Sequence, residues 1–356
     1  MAKDIGSIDK NLKVESSFEK PDVYMYDVRQ EPFHIYGLYH PQAENEFKRL
    51  PDELAQKVND GVARLARNTA GGRVRFRTDS RYVALKTVMP SICHFSHMPL
   101  TGTSGFDLYL YEEGQSTFYK TFVPPTDMTD GYESLIEFPD SRERDIIIHF
   151  PLYNDVSSLY IGLQKSASLK AGSNYKHQTP VLYYGSSITQ GGCASRPGNS
   201  YQAIISRRYD CDFLNFGFSG SARGEQNIIE YMAKLDFSIF VMDYDHNAPD
   251  AQHLQETYRP AYETIRKYNP GKPIIMISKP DIDVTDPEQI KRRSIIYTTY
   301  MEARLAGDQN VYFIDGYSLF GGEYRDSCTV DGCHPNDLGF CRMADTIGTL
   351  VGQLLK

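Results

Sequence analysis

Two short polar blocks of this chain carry side chains that can perform nucleophilic chemistry. The first block is GSSIT at 185–189, in which Ser187 follows a short apolar run. A serine hydroxyl is a poor nucleophile until an imidazole accepts its proton, and the imidazole needs an acidic partner that fixes its tautomer and stabilises the cation. The block DGCHP at 331–335 supplies both partners, with the spacing Asp331-x-x-His334. These residues predict acyl transfer through a serine nucleophile.

The same chemistry requires fixed hydrogen-bond donors for the oxyanion that forms on the attacked carbonyl. Two further blocks offer such donors, NFGFSGSA at 215–222 and DHNA at 245–248. We predict an oxyanion hole made of the Ser187 N–H, the Gly220 N–H and the side-chain amide of Asn247.

Each of these residues also has an ordinary structural interpretation. Ser187 can be a turn serine that caps the next helix, and Gly220 and Asn247 can be plain turn residues. The carboxylate of Asp245 and the imidazole of His246 are expected to be exposed, where they either contact the substrate or belong to a solvated loop. Catalysis is favoured because four suitable blocks occur together.

The six cysteines are predicted to be reduced thiols, because they are few for this length and show no paired spacing. Cys328, Cys333, His334 and Cys341 invite a zinc interpretation, but the spacing C-x4-C-H-x6-C fits no common zinc pattern. Cys193 lies close to the nucleophile block and has no obvious activating partner. We therefore expect neither a metal ion nor an organic cofactor.

The elements around these blocks must bring them together. After residue 180, apolar runs alternate with helical patterns, and near-continuous apolar strands of this kind are typical of a parallel sheet covered on both faces. Ligands bind outside the carboxyl ends of such strands, which is where the first three blocks lie. The sequence predicts a three-layer, flavodoxin-like α/β domain with a five-stranded parallel sheet. The predicted strands are Val181–Gly185, Phe213–Phe216, Ser238–Met242, Ile274–Ser278 and Val311–Asp315.

Three helical patterns lie between or after these strands. The first begins at Asn199 or Ser200, which can cap it. The second has one apolar face but contains Pro260, which is expected to kink the helix or to restart it. The third has a 3.6-residue apolar period and reaches the C-terminus. In the N-terminal half, the apolar residues of Pro51–Ala66 have helix-like spacing, but this spacing alone does not assign the segment to a helix.

The first half of the chain has a different character, with many short strands separated by Gly, Pro, Asp and Ser. Such a pattern predicts an antiparallel sandwich, specifically a jelly roll. The polar stretch LKAGSNYKHQ at 170–179 indicates a junction, so we predict domains at 1–175 and 176–356. The predicted strands are Arg73–Thr78, Tyr82–Thr87, Asp107–Glu112, Ser116–Phe122, Asp145–Phe150 and Leu159–Leu163.

Composition excludes several classes of protein. The 356 residues are 40% hydrophobic and 24% charged, as in ordinary globular proteins. A net charge of −8 without a long basic run offers no surface for a nucleic-acid backbone. No stretch approaches the roughly 20 apolar residues that cross a bilayer, and the first residues contain no apolar core of a secretory leader. We therefore expect a cytoplasmic protein without nucleic-acid or membrane partners.

The four blocks resemble those of the SGNH (GDSL-type) hydrolase superfamily, in order and over a matching strand plan. The resemblance implies Ser187 as nucleophile, Gly220 and Asn247 in the oxyanion hole, and Asp331 with His334 as the other triad members. Two departures are present: Ser186 stands where the family usually has Asp, and DHNA replaces Gly-x-Asn-Asp. Both suggest a sub-branch with an altered pocket.

Residues 105–109, GFDLY, resemble the GxDLY signature of a jelly-roll domain that precedes some SGNH domains. The two-domain plan is similar to certain carbohydrate deacetylases and to a group of acyl-transferring relatives. The resemblance implies a serine esterase for small acyl esters, such as an O-acetylated sugar or oligosaccharide. The alternatives are an acyltransferase with the same triad and a non-catalytic carbohydrate-binding protein. The jelly roll is expected to shape one wall of the pocket or to form the contact of a homo-oligomer.

Overall fold

The computed structural model describes residue 14, residues 17–280 and residues 285–355, so most of the N-terminal stretch used for the leader prediction lies outside the described residues. The strands are β1 (Val23–Asp27), β2 (His34–Tyr36), β3 (Arg73–Thr78), β4 (Tyr82–Val88), β5 (Phe106–Glu112), β6 (Gln115–Phe122), β7 (Gly131–Glu137), β8 (Arg144–His149), β9 (Ser158–Gln164), β10 (Leu169–Ala171), β11 (His177–Gly185), β12 (Cys211–Gly217), β13 (Ile239–Asp243), β14 (Ile274–Ile277) and β15 (Val311–Ile314). The α-helices are α1 (Asp52–Val58), α2 (Asp60–Leu65), α3 (Leu100–Thr103), α4 (Ser187–Gln190), α5 (Tyr201–Tyr209), α6 (Gln226–Ala233), α7 (Ala251–Tyr268), α8 (Pro287–Leu305) and α9 (Asp337–Leu354).

The N-terminal half forms two antiparallel sheets that face each other. One sheet has the strand order β1-β9-β4-β7, and the other has the order β10-β3-β8-β5-β6 with β2 paired to β3. This pairing order is that of a jelly roll, in which strands adjacent in a sheet come from distant parts of the chain. Side chains such as Val83, Leu85, Phe106 and Ile148 fill the space between the sheets and are fully buried. The predicted sandwich is confirmed.

The C-terminal half contains the predicted five-stranded parallel sheet, with the order β12-β11-β13-β14-β15. Side chains alternate between its two faces, as they do along any strand. On β11, Leu182 and Tyr184 join the core beneath α6, α7 and α8, whereas Val181 and Tyr183 join the core beneath α5 and α9. The fold is therefore the three-layer α/β arrangement expected from the sequence.

Helices α1 and α2 belong to the N-terminal half of the chain but pack on the C-terminal half. Their side chains Ala55, Val62 and Leu65 are buried in the same core as α6 and α7. Asn59 caps α2 by accepting a hydrogen bond from the Val62 N–H at 2.9 Å. The segment that the sequence left undecided is thus helical, and it completes one outer layer of the parallel sheet.

Two sequence expectations require correction. Helix α7 continues through Pro260 as one element, so the expected restart does not occur. Pro260 is exposed, and the carbonyl that loses its helical partner there can be hydrated. The connection between the two halves is shorter than the predicted polar stretch at 170–179, because β10 ends at Ala171 and β11 begins at His177. Helix α8 had no counterpart among the predicted elements.

Two buried arginines, Arg49 and Arg73, fasten the two halves together, and we call them the arginine junction. Arg49 donates to the carbonyls of Leu65 and Asn68 at 2.7 and 2.8 Å, and to the carbonyls of Asn215 and Gly217 on β12 at 2.9 and 2.6 Å. Burial lowers the pKa of Arg49 to about 9.

Arg73 on β3 completes the junction. It donates to the Tyr175 hydroxyl at 3.0 Å and to the Phe213 carbonyl at 3.1 Å, and it pairs with the carboxylate of Asp212. Its side chain has no exposed surface. The jelly roll and the parallel sheet therefore meet through charged groups whose hydrogen bonds end mainly on backbone carbonyls. Within the described ranges, no helix is both long and apolar enough to cross a membrane.

Candidate active site

The first block forms a sharp turn from β11 into the one-turn helix α4. Ser186 caps this helix, because its Oγ accepts a hydrogen bond from the Ile188 N–H at 3.1 Å. A Cβ added to Gly185 would lie 2.1 Å from Thr189 Oγ1, so only glycine allows the turn to close this tightly. Ser187 is the first residue of the helix and its side chain faces the last block. The residue that departs from the usual family pattern, Ser186, is thus a helix cap.

The structure brings Ser187, His334 and Asp331 together in one line of hydrogen bonds. Ser187 Oγ lies 2.9 Å from His334 Nε2, and His334 Nδ1 lies 2.7 Å from Asp331 Oδ2. Asp331 Oδ1 also accepts the N–H groups of Cys333 and His334 at 3.0 and 2.7 Å. Although burial by itself raises the pKa of Asp331, these hydrogen bonds outweigh it and lower the pKa to about 2. The carboxylate is therefore ionised beside the imidazole at neutral pH.

The last block is held at both ends. The Val330 N–H donates to the His334 carbonyl at 2.9 Å, and the Asn336 N–H donates to the Cys328 carbonyl at 2.9 Å. Asn336 also caps α9, since its Oδ1 accepts the Gly339 N–H at 3.2 Å. This framework fixes the imidazole without covering it, since a quarter of the His334 side chain is exposed.

The predicted oxyanion donors Gly220 and Asn247 contact each other. Gly220 has φ +66°, and its N–H donates to Asn247 Oδ1 at 3.1 Å. Asn247 Nδ2 donates to the Phe218 carbonyl at 2.9 Å, which uses one of its two amide hydrogens. The second amide hydrogen of Asn247 is available to a ligand, whereas the Gly220 N–H has a partner in this structure.

Gln190 positions the second block, a role that the sequence analysis did not assign. Its Oε1 accepts the Ser219 N–H at 3.1 Å. Its Nε2 donates to Asn68 Oδ1 and to the Leu152 carbonyl, both at 3.1 Å. The only sequence signal for this role is that Gln190 lies directly after the first block, at the end of α4.

The expectation of an exposed carboxylate at Asp245 was wrong. Asp245 is 1% exposed, and its Oδ1 accepts a hydrogen bond from Arg292 Nε at 2.9 Å, while Oδ2 accepts the Lys279 N–H at 3.0 Å. Arg292 lies on α8, so the missed helix explains the missed ion pair. The neighbouring His246 is partly buried, with Nδ1 3.8 Å from the Cys333 sulfur.

A second buried carboxyl group, Asp243, lies behind the nucleophile turn. Its Oδ2 accepts hydrogen bonds from the hydroxyls of Thr189 and Tyr201, both at 3.1 Å. Burial raises the pKa of Asp243 to about 7, and the hydrogen bonds offset only part of this shift. Asp243 thus supports α4 from below and changes charge near neutral pH.

The jelly-roll half reaches the site through the segment between β4 and β5 and through Tyr153. The Tyr153 hydroxyl donates to the Ser187 carbonyl at 3.3 Å, and the Phe95 ring packs edge-on against Tyr153 with centroids 5.2 Å apart. The ring centroids of His97 and His334 are 5.8 Å apart. No local pattern could have revealed these contacts, because they join residues far apart in the sequence.

The cysteines do not form the zinc set considered above. Cys328 is buried near the Phe320 carbonyl, Cys333 contacts His246, and Cys341 is exposed. A different group of three donors lies close together: His97, Cys193 and His334, whose ligating atoms are all within 4.8 Å of one another.

Two family models match the chain. Residues 178–351 match the GDSL-like lipase/acylhydrolase family, and residues 23–169 match the N-terminus of the SGNH-hydrolase-type esterases, the GxDLY model. Both matches agree with the blocks from which the resemblance was inferred. No curated protein matches the chain significantly.

Solved structures resemble this chain over most of its length. A protein of Bacteroides ovatus ATCC 8483 described as a GDSL-like lipase is 26% identical, with a TM-score of 0.84 over 94% of this chain and 98% of its own. A salicylyl-acyltransferase from a tetracycline biosynthetic pathway is 17% identical, with a TM-score of 0.77 over 95% and 100%. A family two carbohydrate esterase from Clostridium thermocellum, in complex with cellohexaose, is 13% identical, with a TM-score of 0.58 over 80% and 93%. The last two likenesses concern the fold alone.

Proposed function

We propose that this chain, an ester hydrolase whose residues 178–351 belong to the GDSL-like lipase/acylhydrolase family, cleaves small acyl esters through Ser187, His334 and Asp331. The observation that carries the proposal is the 2.9 Å contact between Ser187 Oγ and His334 Nε2, with Asp331 2.7 Å behind the imidazole. A hydroxyl, a base and an orienting carboxylate within hydrogen-bond reach form the arrangement that nucleophilic catalysis requires.

The proposed reaction begins when His334 Nε2 accepts the Ser187 proton while Ser187 Oγ attacks the ester carbonyl. The tetrahedral intermediate collapses as His334 returns the proton to the leaving alcohol, which leaves an acyl group on Ser187. Water then attacks this acyl-enzyme, with His334 again acting as base, and the carboxylic acid is released. Asp331 keeps the imidazole in one tautomer and stabilises its cation.

The developing oxyanion is stabilised by the Ser187 N–H, the second amide hydrogen of Asn247 and the Gly220 N–H. Because Gly220 donates to Asn247 Oδ1 at 3.1 Å, it must share or exchange this hydrogen bond when substrate binds. The two-site donor set of Ser187 and Asn247 is available without such a change. Gly220 therefore joins the hole only as the reaction proceeds.

The substrate is an ester of a short acyl group, with acetyl as the first candidate and an acetylated sugar as a suitable alcohol part. Support comes from the burial of Ser187, which is 9% exposed and whose carbonyl accepts a hydrogen bond from Tyr153 of the jelly-roll half, the residue on which Phe95 packs. Similarity to carbohydrate esterases supports the sugar part. We also propose that this segment of the jelly roll forms one wall of the pocket.

The decisive experiment is a chain-length series of p-nitrophenyl esters with wild type and Ser187→Ala. We expect kcat/KM for the acetate to exceed that for the octanoate about tenfold or more, because a confined acyl site excludes added methylenes. A preference for octanoate would contradict the small-acyl proposal and leave the nucleophile intact. Inactivity on every ester together with binding of oligosaccharides would instead favour a non-catalytic carbohydrate-binding protein.

An acyltransferase with the same triad is the second candidate, and the salicylyl-acyltransferase among the similar structures favours it. In that case an alcohol or sugar hydroxyl, rather than water, attacks the acyl-enzyme. Product analysis with and without an added alcohol acceptor separates the two. An acylated acceptor as the main product would favour the transferase, and free acid in both samples would favour the esterase.

A further inference from the structure

Three side chains from separate parts of the chain form a cluster that the proposed hydrolysis does not require. His97 comes from the segment between β4 and β5, Cys193 follows α4, and His334 lies in the last block. Their ligating atoms lie within 4.8 Å of one another. One thiol with two imidazoles is a donor set that Zn²⁺ prefers, and three protein ligands with a fourth, open position are typical of sites that keep an exchangeable ligand.

His334 is already oriented as a metal ligand. Its Nδ1 is occupied by Asp331 at 2.7 Å, so the atom that can coordinate a metal ion is Nε2, which must then give up its 2.9 Å contact with Ser187 Oγ. A carboxylate behind the imidazole is the outer-shell partner that metal-bound histidines usually have, and it strengthens the ligand. The arrangement that makes His334 a base therefore also makes it a good ligand.

Cys193 is held in an unusual backbone conformation beside the nucleophile. Its φ is +73°, a value that residues with a Cβ rarely adopt and that the surrounding structure must enforce. The Gly192 N–H donates to the Ser187 carbonyl at 2.8 Å, and the Ala194 N–H donates to the Gly191 carbonyl at 3.2 Å, so both neighbours of Cys193 are fixed. Burial, with smaller contributions from Asp331 and Cys333, raises the pKa of this thiol to about 12, so the metal-free protein holds it as the thiol and a metal ion must displace its proton.

The three ligating atoms need to move only a short distance to coordinate one metal ion. Bonds of 2.0–2.3 Å in a tetrahedral site place the donor atoms about 3.5 Å apart. The three donors must therefore approach by roughly 1 Å from their present limit of 4.8 Å. His97 can supply this movement, because it is exposed and its side chain can change rotamer.

We propose that a divalent cation of the Zn²⁺ type binds to His97, Cys193 and His334 and switches off ester hydrolysis. The Cys193 thiol releases one proton to the solvent, and one metal–sulfur bond and two metal–nitrogen bonds replace three bonds between the hydrated cation and water, without any change of oxidation state. The hydrogen bond between Ser187 Oγ and His334 Nε2 is broken, so Ser187 loses its base. The inhibitory consequence rests on the proposed function, whereas the binding site itself does not.

Direct binding is measured on the full chain after treatment with a chelator. Co²⁺ is titrated while the charge-transfer absorption from thiolate to metal is recorded, and Zn²⁺ is then added to displace it. We expect a saturable band in wild type and in the inactive Ser187→Ala variant, since Ser187 is not a ligand. Cys193→Ser abolishes the band, whereas the matched variant Cys341→Ser, which changes an exposed cysteine outside the cluster, retains it. Absence of the band in wild type overturns the site.

Inhibition is measured as the loss of p-nitrophenyl acetate hydrolysis with rising free Zn²⁺. Cys193→Ser and His97→Ala are each compared with their own metal-free rates, and each should raise the half-inhibiting concentration about tenfold to 100-fold. His94→Ala, in the same exposed segment, should leave that concentration unchanged. Equal inhibition of wild type, Cys193→Ser and His97→Ala would overturn the proposal. A Co²⁺ band in a chain without esterase activity would refute the proposed function alone.

Discussion

Two polar clusters use their charges in opposite ways: the arginine junction lies between the jelly roll and the parallel sheet, whereas the catalytic cluster lies within the C-terminal half. In the arginine junction, the guanidinium of Arg49 donates hydrogen bonds to four backbone carbonyls, and the residue is almost completely buried. In the catalytic cluster of Ser187, His334 and Asp331, the hydrogen bonds form a single line and the carboxylate remains 37% exposed.

The difference separates stability from activity. Four of the five N–H groups of Arg49 donate to these carbonyls, so the contribution of the junction is to keep the end of β12 and the jelly roll in place. The catalytic cluster is held mainly by the backbone of its own loop, which leaves its side chains free to exchange partners during a reaction. Substitutions in the first region should therefore change the free energy of unfolding, and substitutions in the second should change the rate.

The largest effect is expected for Ser187→Ala. Loss of the nucleophile should lower kcat/KM for p-nitrophenyl acetate about 1,000-fold or more, because His334 and Asp331 then have no serine hydroxyl to activate. The urea midpoint should stay close to that of wild type, since the hydroxyl makes one side-chain contact. An unstable variant, or one with near-normal activity, would break the distinction between the two regions.

Arg49→Met tests the other region. The substitution removes the donors of four carbonyls inside the protein and should lower the free energy of unfolding by about 3–5 kcal/mol. Arg67→Met is the control, because Arg67 is half exposed and its pair with Glu46 is a surface contact that contributes at most about 1 kcal/mol. Urea unfolding measures both. Equal losses in the two variants would contradict the role of the junction.

Asn247→Ala tests the proposed oxyanion donors. If the amide stabilises the oxyanion, kcat should fall about 100- to 1,000-fold, with a smaller change in KM. Ser221→Ala is the matched control, because Ser221 donates to the Ser219 carbonyl in the same loop without facing Asn247. An unchanged kcat in Asn247→Ala would restrict this residue to holding Phe218 and Gly220.

The last prediction concerns Asp243, whose pKa is raised to about 7 in the folded protein, against about 3.9 in an unfolded chain. Between these values the folded state binds more protons, so the stabilising contribution of this group is lost as pH rises from about 4 to 7. Asp243→Asn cannot titrate. Its free energy of unfolding relative to wild type should therefore rise over that range and level off above it. A difference independent of pH would contradict the raised pKa.

Much of the molecule could be predicted from local patterns. Strand β3 was predicted to the residue, and the five parallel strands were each found to within a few residues, because apolar runs between turn residues identify strands without knowledge of their neighbours. The rule that ligands bind at the carboxyl ends of parallel strands related the first three blocks to one another, whereas the pairing of Ser187 with His334 was inferred from the needs of a serine nucleophile and from the family resemblance. The boundary between residues 175 and 176 stays a prediction.

What escaped prediction depends on contacts across the chain. Asp245 was expected to be exposed because its sequence neighbours do not reveal that Arg292, on α8, pairs with it. The approach of His97 to His334 depends on how the two halves dock, and neither segment carries a signal of the other. The hydrogen bond between Gly220 and Asn247 was also invisible, because both had been assigned separately to the same ligand.

The placement of α1 and α2 has a consequence for synthesis and truncation. The ribosome synthesises these helices long before α6, the helix that covers them. The apolar side chains of Val62 and Leu65 are therefore exposed on the nascent chain until α6 has been made. A fragment that starts at residue 176 would lack both helices and expose the part of this core that Ala55, Val62 and Leu65 cover. We therefore expect a C-terminal fragment that also carries residues 51–66 to be more soluble than one that begins at residue 176.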